Sequence, residues 1–278
     1  MMTISPLVLW TDLLLFVLLA LIAFAAWRAR SSEPMRDAWR RVGESWIGMV
    51  SLTILLCFLL VGVLDSLHYR ERLAPAAGSA PDTAGPLSTE VRSALDALAA
   101  PLRQRAEKTY SAPLAIHLYS RQTVELPDGT QTRDFPRLKY AGATLKYPEA
   151  DYAGDVSGRA GMGLAAGAFM WAALAALLVL GVARSRGVPF DAAWRAVWRG
   201  KGGLAWRAML ITAAVLLLVA GPVLALAGEY HVFGTDKVGQ DVLFLTLKSI
   251  RTALVIGTLT TLLTLPLAVG LGILAGYL

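Results

Sequence analysis

Few residues in this chain have the type and spacing for chemistry. The three histidines, His68, His117 and His231, lie too far apart in sequence to form a local metal motif. Cys57, the single cysteine, falls inside an apolar run, where a thiol behaves as a small apolar side chain rather than a nucleophile. His117 sits in an alternating pattern that reads as a strand, which favours a structural role over a ligand role. No phosphate-binding loop, no Gly-x-Ser-x-Gly and no His-Glu-x-x-His occurs. An ionisable residue within an apolar span would mark a proton or ion path, and Asp12 alone qualifies, near one end of its span. The expectation is a protein that is not an enzyme and carries no catalytic residue, metal or cofactor.

One polar constellation remains, in residues 231–251. Gly234 permits a turn, and Thr235 or Asp236 can cap a helix that follows. Val238, Val242 and Leu245 fall on one face, extended by Leu243, Leu247 and Ile250. Lys237 and Asp241 stand at i,i+4 and can pair on the other side. This spacing predicts an amphipathic helix on a membrane face, a connector just before the chain re-enters the bilayer.

Such a connector needs membrane spans on either side. The chain has 278 residues, 56% apolar and 17% charged, against roughly 45–50% and about 25% in soluble proteins. A bilayer core takes about 20 apolar residues per helix. Leu7 to Ala26, Ser45 to Leu64, Ala160 to Ala183, Ala208 to Gly228 and Thr252 to Leu278 meet that length, and only the first holds a charge, Asp12. A cleaved signal peptide would begin with a basic segment. Residues 1–6 have none and the positive cluster follows the apolar run, so the first span reads as an uncleaved anchor.

The net charge of +6 then acquires an address. Arg28, Arg30, Arg36, Arg40 and Arg41 fill one short loop, and Arg184, Arg186, Arg195, Arg199, Lys201 and Arg207 fill another. The stretch between Asp65 and Arg159 is neutral, as is Glu229 to Arg251. Short basic loops face the cytoplasm. The expected fold is therefore an all-α membrane protein with five transmembrane helices, the N-terminus outside, and a small soluble α+β insert on the outer face between helices 2 and 3. No basic patch on a soluble domain suggests nucleic acid.

The organisation reads as four parts: a first helix pair in 1–65, a periplasmic insert in 66–159, a second helix pair in 160–228, and the outer amphipathic helix plus helix 5 in 229–278. The two pairs look like a parallel repeat, since Ala38-Trp-Arg-Arg-Val42 answers Ala193-Trp-Arg-Ala-Val197. Asp37 and Asp191 are expected to cap short interfacial helices carrying Trp39 and Trp194. In the insert, Ala74 to Pro86 reads as a linker and Ser88 to Tyr110 as a helix kinked at Pro101. Leu114 to Leu118, Val124 to Leu126 before Pro-Asp-Gly129, and Leu138 to Tyr147 read as strands. Ala268, Gly272 and Gly276 on helix 5, like Gly163 and Gly167 on helix 3, form small-residue rows that admit a close helix neighbour.

The pattern His231, Gly234, Thr235, Asp236, Gly239, Asp241, Val242 and Leu243, then Arg251, Leu254, Gly257, Gly276 and Tyr277, resembles the permease subunits of the dipeptide, oligopeptide and nickel class of binding-protein-dependent ABC importers. The likeness covers residues 231–278 and departs at Gln240, where that family usually has arginine. It implies a bacterial inner-membrane permease for peptides or similar small solutes. The motif residues would then lie at the outer gate. The implied partners are a second permease subunit, two ATP-binding subunits, a periplasmic solute-binding protein and the lipid bilayer. The family's core continues past Gly-Tyr to a cytoplasmic Glu-Ala-Ala-x-x-x-Gly loop that docks on the ATPase. No such loop is present, so the sequence is expected to be a fragment or truncated product. The alternative expectation is a membrane-anchored sensor or assembly factor whose insert binds a ligand or partner.

Overall fold

The computed structural model describes residues 4–72, 87–125, 131–200 and 203–278. The elements of the first third, in chain order, are β1 (Ile4–Leu7), α1 (Trp10–Ser31), α2 (Glu33–Glu44), α3 (Trp46–Ser66) and β2 (His68–Glu71). The insert holds β3 (Arg92–Ser93), α4 (Ala94–Leu98), α5 (Ala100–Gln104), β4 (Gln122–Glu125) and β5 (Gln131–Asp134). Then come α6 (Pro148–Arg186), α7 (Phe190–Trp198), α8 (Trp206–Ala227) and α9 (Val242–Tyr277). Five of these, α1, α3, α6, α8 and α9, are long and apolar enough to cross a membrane. A helix suits that medium because it satisfies its own backbone hydrogen bonds. The 39 residues of α6 and 36 of α9 exceed the roughly 20 needed to span. α6 begins in polar sequence, and α9 in a mixed segment that carries Lys248 and Arg251, before their apolar runs.

The short helices α2 and α7 follow α1 and α6, as the repeated Trp-Arg segments suggest. Their starts differ from expectation. Ser32 precedes α2, with Pro34 in its first turn, and Pro189 precedes α7, so Asp37 and Asp191 lie inside the helices. Proline fixes φ near the helical value and needs no acceptor there, which sets the start without an Asp cap.

The chain divides into two compact units. The first takes the described residues of Met1–Ser31, Cys57–Ala100 and Thr246–Leu278. Here a three-stranded antiparallel sheet, β1-β2-β3, joins the entry of α1 to the exit of α3. Leu7 pairs with His68 and Ile4 with Glu71, and β2 continues to β3 with His68 opposite Ser93. Pro6 sits in the edge strand β1, the position a sheet tolerates for a residue without an N–H. The helix read over Ser88 to Tyr110 is instead two single turns. Ser93 and Asp96 form a reciprocal capping box that starts α4. Pro101 cannot extend that helix and sits in the first turn of α5.

The second unit takes Ser32–Leu56 and the described residues of Pro101–Leu245. Among the described residues its apolar core shows two centres. One gathers Ala175, Val179 and Val182 of α6, Ala193 and Val197 of α7, and Leu210 of α8, sealed by Trp171, whose indole N–H donates to Leu210 O at 2.9 Å. Higher on the same helices, Gly163 and Gly167 lie against the α8 backbone. A Cβ on Gly163 would stand 2.5 Å from Gly221 O and 2.6 Å from Pro222 Cα, so only glycine permits that approach. The other centre packs Leu118, Leu138 and Ala141 of the insert on Leu226 and Tyr230.

The β4–β5 hairpin appears where Val124 and the Pro-Asp-Gly turn place it, with Val124 opposite Thr132. The turn itself and the linker 74–86 lie outside the described residues. Leu114 to Leu118 is not a strand. Leu114 takes φ 57°, and the main chain splits its bonds between distant segments, Leu114 N donating to His231 O at 2.9 Å and Leu118 N to Pro136 O at 2.9 Å. Leu138 to Tyr147 is likewise turn rather than strand, bent at Gly142 with φ 62°. The helix expected from residue 235 begins only at Val242, and residues 231–241 form a bonded loop.

Candidate functional site

The loop that enters α9 is built from the patterned residues. His231 and Asp241 close it, the ring Nδ1 lying 2.7 Å from Asp241 Oδ2, with both residues 2% exposed. Asp241 Oδ1 accepts from the N–H groups of Leu243, at 2.8 Å, and Phe244, at 3.3 Å. Asp241, rather than Thr235 or Asp236, is therefore the carboxylate at the start of α9, and it pairs with His231 rather than with Lys237. Asp236 has a different task. Its Oδ1 accepts from Val238 N at 2.9 Å and Gln240 N at 2.8 Å, an Asx turn that holds the loop tip. Gln240 takes part through its main chain and its side chain faces outward, so the loop places no demand on its identity.

The glycines let this loop lie on the insert. Gly234 and Gly239 have φ of 76° and 80°, and a Cβ on either would collide with backbone, Ser111 O for the first and Glu107 O for the second. Thr235 Oγ1 donates to Thr109 O at 2.8 Å. Glu107 N donates to Gly239 O at 2.9 Å, while the Glu107 carboxylate accepts from the N–H groups of Lys139 and Tyr140 at 2.9 and 2.7 Å. The result is a clasp: one segment of the insert, 107–111, gripped by His231 to Asp241. Tyr230 adds a bond, its hydroxyl donating to Asp155 Oδ2 at 2.8 Å. Burial, and then that bond, raise its pKa above the ordinary phenol value.

The first unit holds a second polar centre, around Arg251. Asp12, Asp65 and Asp96 are 0%, 1% and 7% exposed. Arg251 Nη1 donates to Asp12 Oδ1 at 2.9 Å, and its Nε lies 3.4 Å from Asp65 Oδ2. Lys248, one turn earlier on α9, bridges Asp65 and Asp96, each at 2.9 Å. Ser93 Oγ donates to Asp65 at 2.8 Å. The His68 ring closes the group, with Nδ1 2.9 Å from Asp12 Oδ2 and Nε2 3.2 Å from Arg251 Nη1. A guanidinium can only donate, so Nε2 accepts and the ring proton sits on Nδ1, aimed at Asp12. Burial works against ionisation of Asp96, but the Ser93 N–H and the Lys248 ammonium outweigh it and lower its pKa.

These two centres can hold structure. Each carboxylate named in them accepts two or more hydrogen bonds or ion-pair contacts, and among the described residues no group of three His, Cys, Asp or Glu could hold a metal ion. Of the residues singled out by pattern, His231, Gly234, Thr235, Asp236, Gly239 and Asp241 come together in the clasp, and Arg251 belongs to the other centre. Ala268, Gly272 and Gly276 touch neither. A Cβ added at Gly272 or Gly276 would meet no heavy atom within 4 Å among the described residues.

Sequence reading missed Glu107, Asp65, Asp96, Lys248 and the partnership of Asp12 with Arg251. A signal was present. Asp12 opens the first span, Asp65 closes the second, and Lys248 and Arg251 share a face of α9 at i,i+3, so opposite charges fall at matching span ends.

No protein-family model matches the chain, and no curated protein and no solved structure matches it.

Proposed function

We propose that this chain is an inner-membrane permease subunit of a binding-protein-dependent ABC importer for peptides or similar small solutes. It catalyses nothing itself. It lines the solute path with a second permease, receives solute from a periplasmic binding protein and is driven by ATP-binding subunits. The observation that carries this reading is the clasp: the ordered residues that resemble the permease family, His231 to Asp241, each have a bonded task in one buried loop at the entry to α9. The family's arginine position falls at Gln240, where only the main chain is used, so that departure leaves the loop intact.

The orientation belongs to the same proposal. The N-terminal strand β1 pairs with β2, the start of the insert, which supports placing the N-terminus on the insert's side. The basic loops then face the cytoplasm and the clasp faces the periplasm, at the outer gate. Deleting Gly234 to Asp241 in the protein should abolish solute uptake while leaving the protein in the membrane. Unchanged uptake would overturn the assignment.

A membrane-anchored sensor or assembly factor is the second reading. It is favoured by an open cleft of about 780 Å³ in the insert, lined by His117, Tyr119, Asp134, Phe135 and Glu149. Under that reading, substitutions in the cleft would abolish signalling or assembly while deletion of the clasp loop would not affect uptake.

A further inference from the structure

A small cavity in the second unit has the chemistry of an anion site. The corner between α2 and α3 docks on the loop before α8, where Ala205 N donates to Gly43 O at 2.7 Å. Beside that bond lies a cavity of about 260 Å³ whose walls include Trp46, Trp198, Arg199, Ala205 and Arg207. Trp46 is the first residue of α3, and Ala205 immediately precedes α8. The starts of α3 and α8 meet the ends of α2 and α7 at this one cavity, and α8 has no side-chain cap. Neither Arg199 nor Arg207 forms an ion pair with a described residue. The buried indole N–H of Trp198 has no acceptor among the described residues. Glu44 also lines the cavity, but its carboxylate is taken by Arg40 at 2.8 Å.

We propose that this cavity binds the phosphodiester headgroup of an anionic phospholipid. Two guanidiniums and an indole donor supply charge and hydrogen bonds suited to a phosphate. The setting selects a lipid as its source. The cavity sits where apolar helices α3 and α8 begin, and Trp46 and Trp206 at those starts are the residue type that settles at the headgroup level. The acyl chains can then lie along the exposed apolar flanks of the helices. The inference needs the membrane character of the five helices and is independent of the permease reading.

The test uses the purified full chain in nanodiscs or detergent, with binding read by native mass spectrometry and by thermal shift. Phosphatidylglycerol, phosphatidylcholine and inorganic phosphate are the three probes. Phosphatidylglycerol should bind and stabilise, and phosphatidylcholine should not. The double substitution Arg199→Gln and Arg207→Gln should weaken phosphatidylglycerol binding about tenfold or more. Trp198→Phe, which keeps the ring and removes the donor, should weaken it about threefold. A charge-matched control, Arg28→Gln with Arg30→Gln, should leave binding unchanged. Equal loss in that control would mean diffuse attraction to basic loops and would overturn the site. Equal binding of phosphatidylcholine, or phosphate shifting the midpoint as far as the lipid does, would overturn the lipid assignment. Trp198→Phe does not touch the charge balance, so it still decides the case if the double variant fails to fold.

Discussion

Asp241 offers the sharpest single perturbation, because one side chain closes the clasp and caps α9 together. Replacing it with alanine removes an N-terminal cap on Leu243 and Phe244, worth roughly 1 kcal/mol. It also removes a charge-assisted bond to a histidine that is 2% exposed, worth roughly 1.5–3 kcal/mol. The expected loss is about 2.5–4 kcal/mol, or roughly 5–16 °C in midpoint for a unit of this size. Asp241→Asn keeps an oxygen for both amides and a neutral bond to the ring, so it should lose about 1–2 kcal/mol. The chain's eight tryptophans report the midpoint by intrinsic fluorescence on heating in detergent. Amide hydrogen exchange adds a local readout, since the N–H groups of residues 243 and 244 should exchange faster in the alanine variant, with the α6–α8 region unaffected. His231→Ala combined with Asp241→Ala should cost much less than the sum of the two singles. Asparagine and alanine variants of equal stability, or additive losses in the double variant, would refute the clasp.

Three further outcomes follow from the other contacts. Arg251→Ala should destabilise by roughly 3–5 kcal/mol, since it takes the cation from the fully buried Asp12 carboxylate. Asp12→Ala should cost less, because Arg251 is part-exposed and keeps Asp65, and a double-mutant cycle by thermal denaturation should return a coupling of roughly 1–3 kcal/mol. Asp96 has its pKa lowered in the fold, so it adds stability at pH above the ordinary carboxylate value of about 3.9. That stability fades as pH falls below this value, and acid titration of Asp96→Asn should show a smaller loss over the same range. Gly163→Leu should break the α6–α8 contact and lower the midpoint of the full chain, whereas Gly272→Ala should leave that midpoint unchanged, because nothing in the described chain meets it.

The spans were legible because an apolar run of some twenty residues has few other fates in a protein. The clasp was legible as a pattern and misread as a helix. Val238, Val242 and Leu245 match helical spacing, but Gly234 and Gly239 at positive φ and the Asp236 Asx turn fold the chain back before Val242. Lys237 and Asp241 stand at the right interval to pair, and a buried histidine ten residues away wins the carboxylate instead. Glu107 and Asp96 were not legible as site residues, and Asp65 showed only as a charge at a span end. Apart from the Ser93 capping box at Asp96, their partners lie far along the chain, and only tertiary packing decides which donors reach a buried carboxylate. In the insert, Leu114 to Leu118 alternates like a strand, yet its peptide groups bond to three separate segments and no ladder forms. Gly163 and Gly272 share the same small-residue spacing, and the sequence could not tell that one meets α8 and the other meets no described neighbour.

The permease assignment stands or falls most directly on which proteins accompany this one. The protein, affinity-purified from its own membranes in mild detergent, should bring down a second membrane permease and ATP-binding subunits, with ATP hydrolysis stimulated by a loaded periplasmic binding protein. The same preparation carrying Asp241→Ala should keep the ATP-binding subunits and lose the stimulation by the binding protein. Recovery of the protein without any ATP-binding subunit, or stimulation undiminished by the variant, would contradict a role at the outer gate of an importer.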